Sequence, residues 1–318
     1  MDELFISEVM PYYEQKAVIK VIGAGGAGIS IVSGMPALNI DNVEYIAVDS
    51  DAKVLSTCNA DTCILIGKHG LGTDGRFEKG KEYALESIDK IRNAVKGADM
   101  VFITAGMGGG TGTGAASVIA AEAKASGALV IAVVSIPHKA ADAEIINTAK
   151  EGLAELINSV DSYIVVPNDV MYGTLYAADN IIRQNIQGIC DIISNSVFIN
   201  IDIEDFRFAM QNKGKAFVGT GKACGSNRAK QAFENALKSP LLSETDIKNA
   251  NAVLLNISAN ENDLLMDEVA EIQTLLNEYA GSDMFIIDNI AFDDRTDGTI
   301  STTIVATGIS GNNNFEYL

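Results

Sequence analysis

The chain contains no tryptophan, two histidines, four cysteines and five prolines among its 318 residues. Cys58, Cys63, Cys190 and Cys224 show no CxxC spacing and no grouping with the histidines, so neither a disulfide framework nor a zinc site is expected. Basic residues are also short, 23 Lys and Arg against 42 Asp and Glu, for a net charge of −19. That balance argues against nucleic acid, or direct contact with an anionic membrane, as the main partner. The acidity serves solubility first, although a few carboxylates could matter beside a metal-bound nucleotide. No apolar run approaches membrane-spanning length. The opening MDELFISEVMPYYEQK lacks the basic-then-apolar order of a signal peptide, so the expected location is cytoplasmic.

What the chain does have is apolar residues, 47%, and 29 glycines. Six glycines fall in the nine residues Gly106–Gly114, between the apolar run Met100–Ala105 and an alanine-rich helical segment beginning near Ala115. Strand, glycine loop and helix start together suit an anion: bare N–H groups can approach it, and the helix dipole favours negative charge. The plainer reading, a flexible surface loop, fits poorly with flanks this apolar.

Upstream, Ala17–Ile22 reads as a buried strand, followed by Gly23–Gly28 and a helix to about Gly34. Strands at 43–48, 62–66, 99–105, 128–135 and 163–166 then alternate with helices at 80–95, 114–126 and 141–159. Continuous apolar strands alternating with helices predict a parallel sheet covered on both faces, with ligands outside the carboxyl ends of its strands. A long helix spans about 175–194, with apolar residues at spacings of three and four. Beyond it, strands at 215–219, 252–258, 284–290 and 300–307, helices near 227–238 and 263–279, and a turn at Asp297-Gly298 predict a separate α+β unit.

Gly23–Gly28 matches GxGxxG, and Asp49 closes the next strand about twenty residues on, as a dinucleotide fold requires. An NAD-linked oxidoreductase is therefore one reading. A second cradle two strands later suits better a nucleotide whose several phosphates are gripped from both sides.

GGGTGTG at Gly108–Gly114 is the signature loop of the tubulin/FtsZ superfamily, and the preceding Gly106-Met107 makes the chain more similar to the FtsZ family than to tubulin. The resemblance continues through IKVIGAGGAG at 19–28, NVEYIAVDSDA at 42–52, GLG at 70–72, VPND at 166–169, ADNIIRQNIQG at 178–188, INIDIEDFRFAM at 199–210 and IVATG at 304–308. It implies an α/β fold with a Rossmann-like parallel-sheet domain binding GTP or GDP, a long central helix and a C-terminal α+β domain. The layout would be a lead-in at 1–16, a GTP-binding domain at 17–172, the central helix at 173–199, an activation and assembly domain at 200–309, and a disordered tail at 310–318.

The resemblance further implies nucleotide contacts at Gly25, Gly26, Ala27, Asp51, Thr73, Gly75, Gly106, Gly108, Gly109, Gly110, Thr111, Gly112, Asn168 and Asp179, with Asp74 in the loop that senses the γ-phosphate. Asn168 and Asp179 would read the guanine edge. Mg²⁺ would be held by phosphates and water, without a protein metal site. Asp202 and Asp205, supported by Asn200, would enter a neighbour's site and polarise the attacking water, giving a head-to-tail homopolymer that hydrolyses GTP at subunit contacts. From the residues alone, Asp202 and Asp205 also read as a helix cap and first-turn acid.

The chain departs from the family around the nucleotide. Ala141 and Ile145 stand where the family has a ribose-contacting glutamate and a nucleotide-contacting arginine. Ile29 and Ser30 replace asparagines, the stretch between Asp169 and Ala178 is shorter, and the stacking aromatic falls at Leu175 or Tyr176. No linker or terminal peptide of the kind that meets a membrane-anchoring adaptor is expected. A non-hydrolysing nucleotide-binding scaffold of the same fold is therefore an alternative.

Overall fold

The computed structural model describes residues 17–168, 178–194, 197–199, 203–211, 213–239, 241–242, 247–279, 284–293 and 298–309. Six strands, β1 (Ile19–Ala24), β2 (Val43–Asp49), β3 (Thr62–Leu65), β4 (Met100–Gly106), β5 (Leu129–Ile136) and β6 (Ser162–Pro167), form an all-parallel sheet in the order β3-β2-β1-β4-β5-β6. β1, β5 and β6 are buried at every residue, as expected of strands covered on both faces. The order reverses between β1 and β4, which makes the carboxyl ends of those two strands a topological switch point. Both glycine loops lie there, Gly25 following β1 and Gly108 following β4.

The crossovers are α1 (Gly25–Ser33), α2 (Ala52–Leu55), α3 (Phe77–Glu86), α4 (Ile88–Val95), α5 (Gly110–Ala125) and α6 (Ala143–Ile157). Two expectations change here. The helix expected over 80–95 is two, broken at Ser87 (φ −106°, ψ 20°), whose Oγ accepts the Gly67 N–H at 3.1 Å. The helix expected from 114 begins at Gly110, so five of the seven signature residues Gly108–Gly114 are helix. α5 is buried nearly all round, the mark of a core helix. It lies so close to α3 that a Cβ on Gly114 would sit 2.1 Å from the Phe77 carbonyl oxygen, and one on Gly80 2.3 Å from that of Gly110. Packing of this kind outweighs the poor helix propensity of glycine.

The central helix α7 (Ala178–Ser194) buries Ile181, Ile182, Ile186, Ile189 and Ile192 in one apolar core that reaches from the parallel sheet into the second half of the chain. That half holds β7 (Val197–Ile199), α8 (Ile203–Met210), β8 (Gly214–Cys224), α9 (Arg228–Leu237), β9 (Ala252–Ala259), α10 (Met266–Tyr279), β10 (Phe285–Phe292) and β11 (Thr299–Thr307). The sequence reading did not foresee β7, whereas α8 matches the plain reading of Asp205 as a first-turn acid. The strands run in the order β8-β11-β9-β10-β7, and β8 touches β6 through two residue pairs, Ser162 with Gly214 and Tyr163 with Lys215. Arg228 anchors α9 to α10 by a two-pronged ion pair, Nε to Glu268 Oε1 at 2.7 Å and Nη2 to Oε2 at 2.9 Å. No described helix is long and apolar enough to cross a membrane. The expected lead-in 1–16, the tail 310–318, Leu175, Tyr176 and Asp297 lie outside the described residues; Gly298 carries the positive φ of a turn, 64°.

Candidate functional site

A cavity of about 680 Å³ opens along the carboxyl edge of the parallel sheet. Five strand ends supply its wall: Ala24–Ala27 after β1, Asp49, Asp51 and Val54 around the end of β2, Gly106–Gly112 after β4, Ser135 and Pro137 after β5, and Asn168 after β6. Leu71–Gly75 closes one side, and Ile145 from the first turn of α6 another.

Two helices start at this wall with their amino ends uncapped. α1 begins after Ala24 and α5 after Gly109; neither receives a side-chain capping bond, and neither carries an acid in its first turn. The first N–H groups of a helix have no partner within it, and the dipole adds positive potential. Converging on one cavity, the two amino ends form an anion site made of backbone. By contrast, α2 is capped by its own Asp51, which accepts the Lys53 N–H at 2.8 Å.

The glycines divide by what lies behind them. A Cβ on Gly25 (φ +71°) would meet the Gly112 nitrogen at 2.6 Å, so these two hold the loops against each other. A Cβ on Gly26 would meet nothing within 4 Å, and one on Gly109 only the Gly106 oxygen at 4.0 Å; both face open space. Hydroxyls then set the loop. Thr113 Oγ1 accepts the Gly108 N–H at 2.9 Å, and Ser50 Oγ lies 2.7 Å from Thr111 Oγ1 in a buried pair.

Asp49, Asp51 and Asp74 line the cavity, and among the described residues no Lys, Arg or His does. Burial pushes the Asp49 carboxyl above the ordinary aspartate range, outweighing the hydrogen bonds that favour its ionised form. Asp74 is fully exposed and held below that range by Lys79, 3.2 Å away, and by Arg76.

Of the residues singled out from sequence, Gly25, Gly26, Ala27, Asp51, Thr73, Asp74, Gly75, Gly106, Gly108–Gly112 and Asn168 all meet at this cavity. Asp179 is not on its described wall. It opens α7 and accepts the Ser30 hydroxyl at 2.7 Å. Asp205, exposed in the first turn of α8, lies elsewhere altogether. Arg207 of that helix donates to the carbonyls of Asp99 and Gly127, just before β4 and β5, and the Met210 carbonyl accepts the Ser162 hydroxyl at the start of β6. α8 therefore sits at the amino edge of the sheet. The length of β5, eight residues, separates it from the cavity edge by roughly 25 Å. Asn200 and Asp202 lie outside the described residues. Sequence reasoning missed Leu71, Met107, Ser135 and Pro137 as wall residues, since apolar and small side chains carry no chemical signal.

The model of the "Tubulin/FtsZ family, GTPase domain" matches residues 18–176, and that of the "FtsZ family, C-terminal domain" matches 214–310. The cell division protein FtsZ of Azotobacter vinelandii is 37% identical over 315 residues, covering 95% of this chain and 80% of that protein; FtsZ of Pseudomonas aeruginosa gives the same values. Among solved structures, an empty FtsZ dimer from M. jannaschii superposes with a TM-score of 0.85 at 34% identity, covering 93% of this chain and 89% of the other. A GTPγS-bound protofilament of CetZ2 from Haloferax volcanii shares the fold, with a TM-score of 0.77 at 19% identity and coverage of 94% and 95%.

Proposed function

The chain belongs to the tubulin/FtsZ family, and from that membership we propose how it works as a cell-division GTPase: GTP bound at the carboxyl edge of one copy is hydrolysed with acids from the amino edge of the next. The conversion is GTP to GDP and phosphate, which leaves the NAD-linked reading without support. The uncapped amino ends of α1 and α5 take the phosphates, while Asn168 and Asp179 read guanine across the segment between them. A Mg²⁺ ion bound with the nucleotide would be held by phosphate oxygens and water, and would supply positive charge to the phosphates.

Phosphoryl transfer needs little covalent help from protein; it needs alignment and a field matched to the developing charge. The N–H groups of Gly108–Gly112 supply that field without reorganising. On this reading the attacking water is oriented from the far side of the γ-phosphate by carboxylates of the neighbouring copy, not by those of the cavity's own wall. The observation that carries the proposal is the placement of Asp205 at the opposite edge of the same sheet, out of reach of its own cavity. A second copy stacked in the same orientation brings Asp205, together with Asp202 and Asn200, over the open cavity. Such a contact is heterologous and does not close, so it extends into a filament.

The test is phosphate release per molecule across a range of protein concentrations. Turnover that rises with concentration, and an Asp205→Ala variant that binds GTP normally but turns over at least a hundredfold more slowly, is the expected result (on the order of one lost catalytic group). A flat profile would sink the shared site, and loss of GTP binding in the variant would show that Asp205 belongs to its own cavity.

A further inference from the structure

Asp49 ends β2 on the cavity wall with 4% of its surface exposed. Its Oδ1 accepts the Asp51 N–H at 3.0 Å, and Thr111, from the first turn of α5, lines the same wall. The proposed ligand brings phosphates to the same wall. A buried carboxylate beside a phosphate is a like-charge pair in a medium that screens poorly, and one member of such a pair keeps or takes up a proton. The surroundings offer no other relief. On its own connection the nearest charge is Asp51, also negative. The 71–75 segment contributes Asp74, whose charge is already met by Lys79 and Arg76. α1, α5 and α6 present backbone, Thr111 and Ile145 to the cavity, all uncharged, and Lys53 of α2 is exposed and not part of the wall. The amino end of α5 favours the ionised acid, but it would be answered by the phosphates it binds.

We propose that Asp49 enters the nucleotide complex as a neutral carboxylic acid, so that nucleotide binding takes up a proton at this side chain and weakens as the pH rises. As an acid it is a hydrogen-bond donor toward phosphate oxygen; as a carboxylate it would repel the ligand. The inference rests on the nucleotide-binding reading above and names a specificity-determining residue within it.

The experiment is calorimetric titration of GDP into the full chain, between about pH 6 and pH 8 and in two buffers of different ionisation enthalpy. It is run for wild type and Asp49→Asn, with magnesium present and with magnesium chelated. Protons that GDP binds independently of Asp49 cancel in the comparison. The ¹³C shift of the Asp49 carboxyl in labelled wild type shows whether the excess proton sits on Asp49; a proton on the phosphate instead would overturn the proposal. Wild type should take up about one proton more than the variant, and its affinity relative to the variant should fall by up to roughly tenfold per pH unit once free Asp49 is ionised. Equal proton uptake in the two proteins overturns the proposal. So does an excess seen only when magnesium is chelated, because the cation would then be what neutralises the pair. If neither protein binds GDP at any pH, the nucleotide-binding reading itself fails. Should the variant not fold, the ¹³C shift of the Asp49 carboxyl in labelled wild type, with and without GDP, reads the same proton: a shift to the neutral value on binding is expected, and an ionised value in the complex overturns it.

Discussion

Ser30 and Asp179, 149 residues apart in sequence, are joined by a 2.7 Å hydrogen bond from the Ser30 hydroxyl to Asp179 Oδ2. Arg183, one turn further along α7, donates to the Ser30 and Ile31 carbonyls at 2.9 Å each and lies 3.9 Å from the same Asp179 oxygen. The end of the first phosphate-facing helix is thereby fixed to the start of the central one. On the proposed reading, Asp179 accepts from both N1–H and N2–H₂ of guanine. Asp179→Asn should therefore weaken GDP binding ten- to a hundredfold, the usual range for a hydrogen bond to a charged group, and narrow the preference for GDP over ADP. Competition titrations with the two nucleotides measure both effects.

Ile145 stands 40% exposed on the cavity wall, at the position where the family resemblance implies an arginine in other members. Ile145→Arg should place a guanidinium at a cavity whose described wall residues include no cation. GTP affinity is expected to rise roughly tenfold through one charge-assisted bond, with the gain shrinking at high salt because the position is partly exposed. Titration at two ionic strengths checks the sign and the salt dependence.

Gly26 and Gly114 sit in the two glycine motifs, yet substitution should affect different properties. Gly26→Ala adds a methyl into open ligand space, so the denaturation midpoint should hold while nucleotide binding weakens. Gly114→Ala forces α5 away from the Phe77 carbonyl and the Lys81 nitrogen, which a Cβ would approach to 2.5 Å or less. It should cost about 1–3 kcal/mol of stability, the usual penalty for overpacking. Urea denaturation and nucleotide titration of both variants separate the two outcomes.

The Arg228 pair sets an acid limit on the second half of the chain. Arg228 holds the Glu268 carboxyl below the ordinary glutamate range. Its contribution is therefore complete above that range and is lost as the pH falls through the lowered value. Arg228→Met leaves Glu268 and Asp263 facing no cation and should lose about 3 kcal/mol near neutral pH. The difference between variant and wild type should shrink in acid, and denaturation curves at several pH values test that slope.

The parallel sheet was legible because β1, β4 and β5 are short, mostly apolar runs that end in glycine or polar turns and alternate with helical segments. The anion site was legible for the same kind of reason: only backbone can make it, and only glycine exposes backbone that far. Where α5 starts was not. Local propensity argues against helix at Gly110–Gly114, and the force that overrides it is contact with Gly80 and Phe77, invisible along the chain. The break at Ser87 has neither glycine nor proline to mark it, since the serine turns inward to serve Gly67. α8 was legible only as the plain reading of Asp205 as a first-turn acid, which the resemblance to an inserting loop at 200–205 competed with. The Ser30–Asp179 bond, like the distance between Asp205 and the cavity, exists only once the chain is folded.

The two residue pairs between β6 and β8 have a consequence for how the halves are joined. Strand pairing indexes its partners: slip one residue, and every side chain changes face. Apolar packing attracts without indexing. Here much of the joint is of the second kind, an apolar seat along α7. The register between the halves is therefore set by a few polar links at the amino edge of the sheet: the two strand pairs, the Ser162 bond to the Met210 carbonyl and the Arg207 bonds to the Asp99 and Gly127 carbonyls.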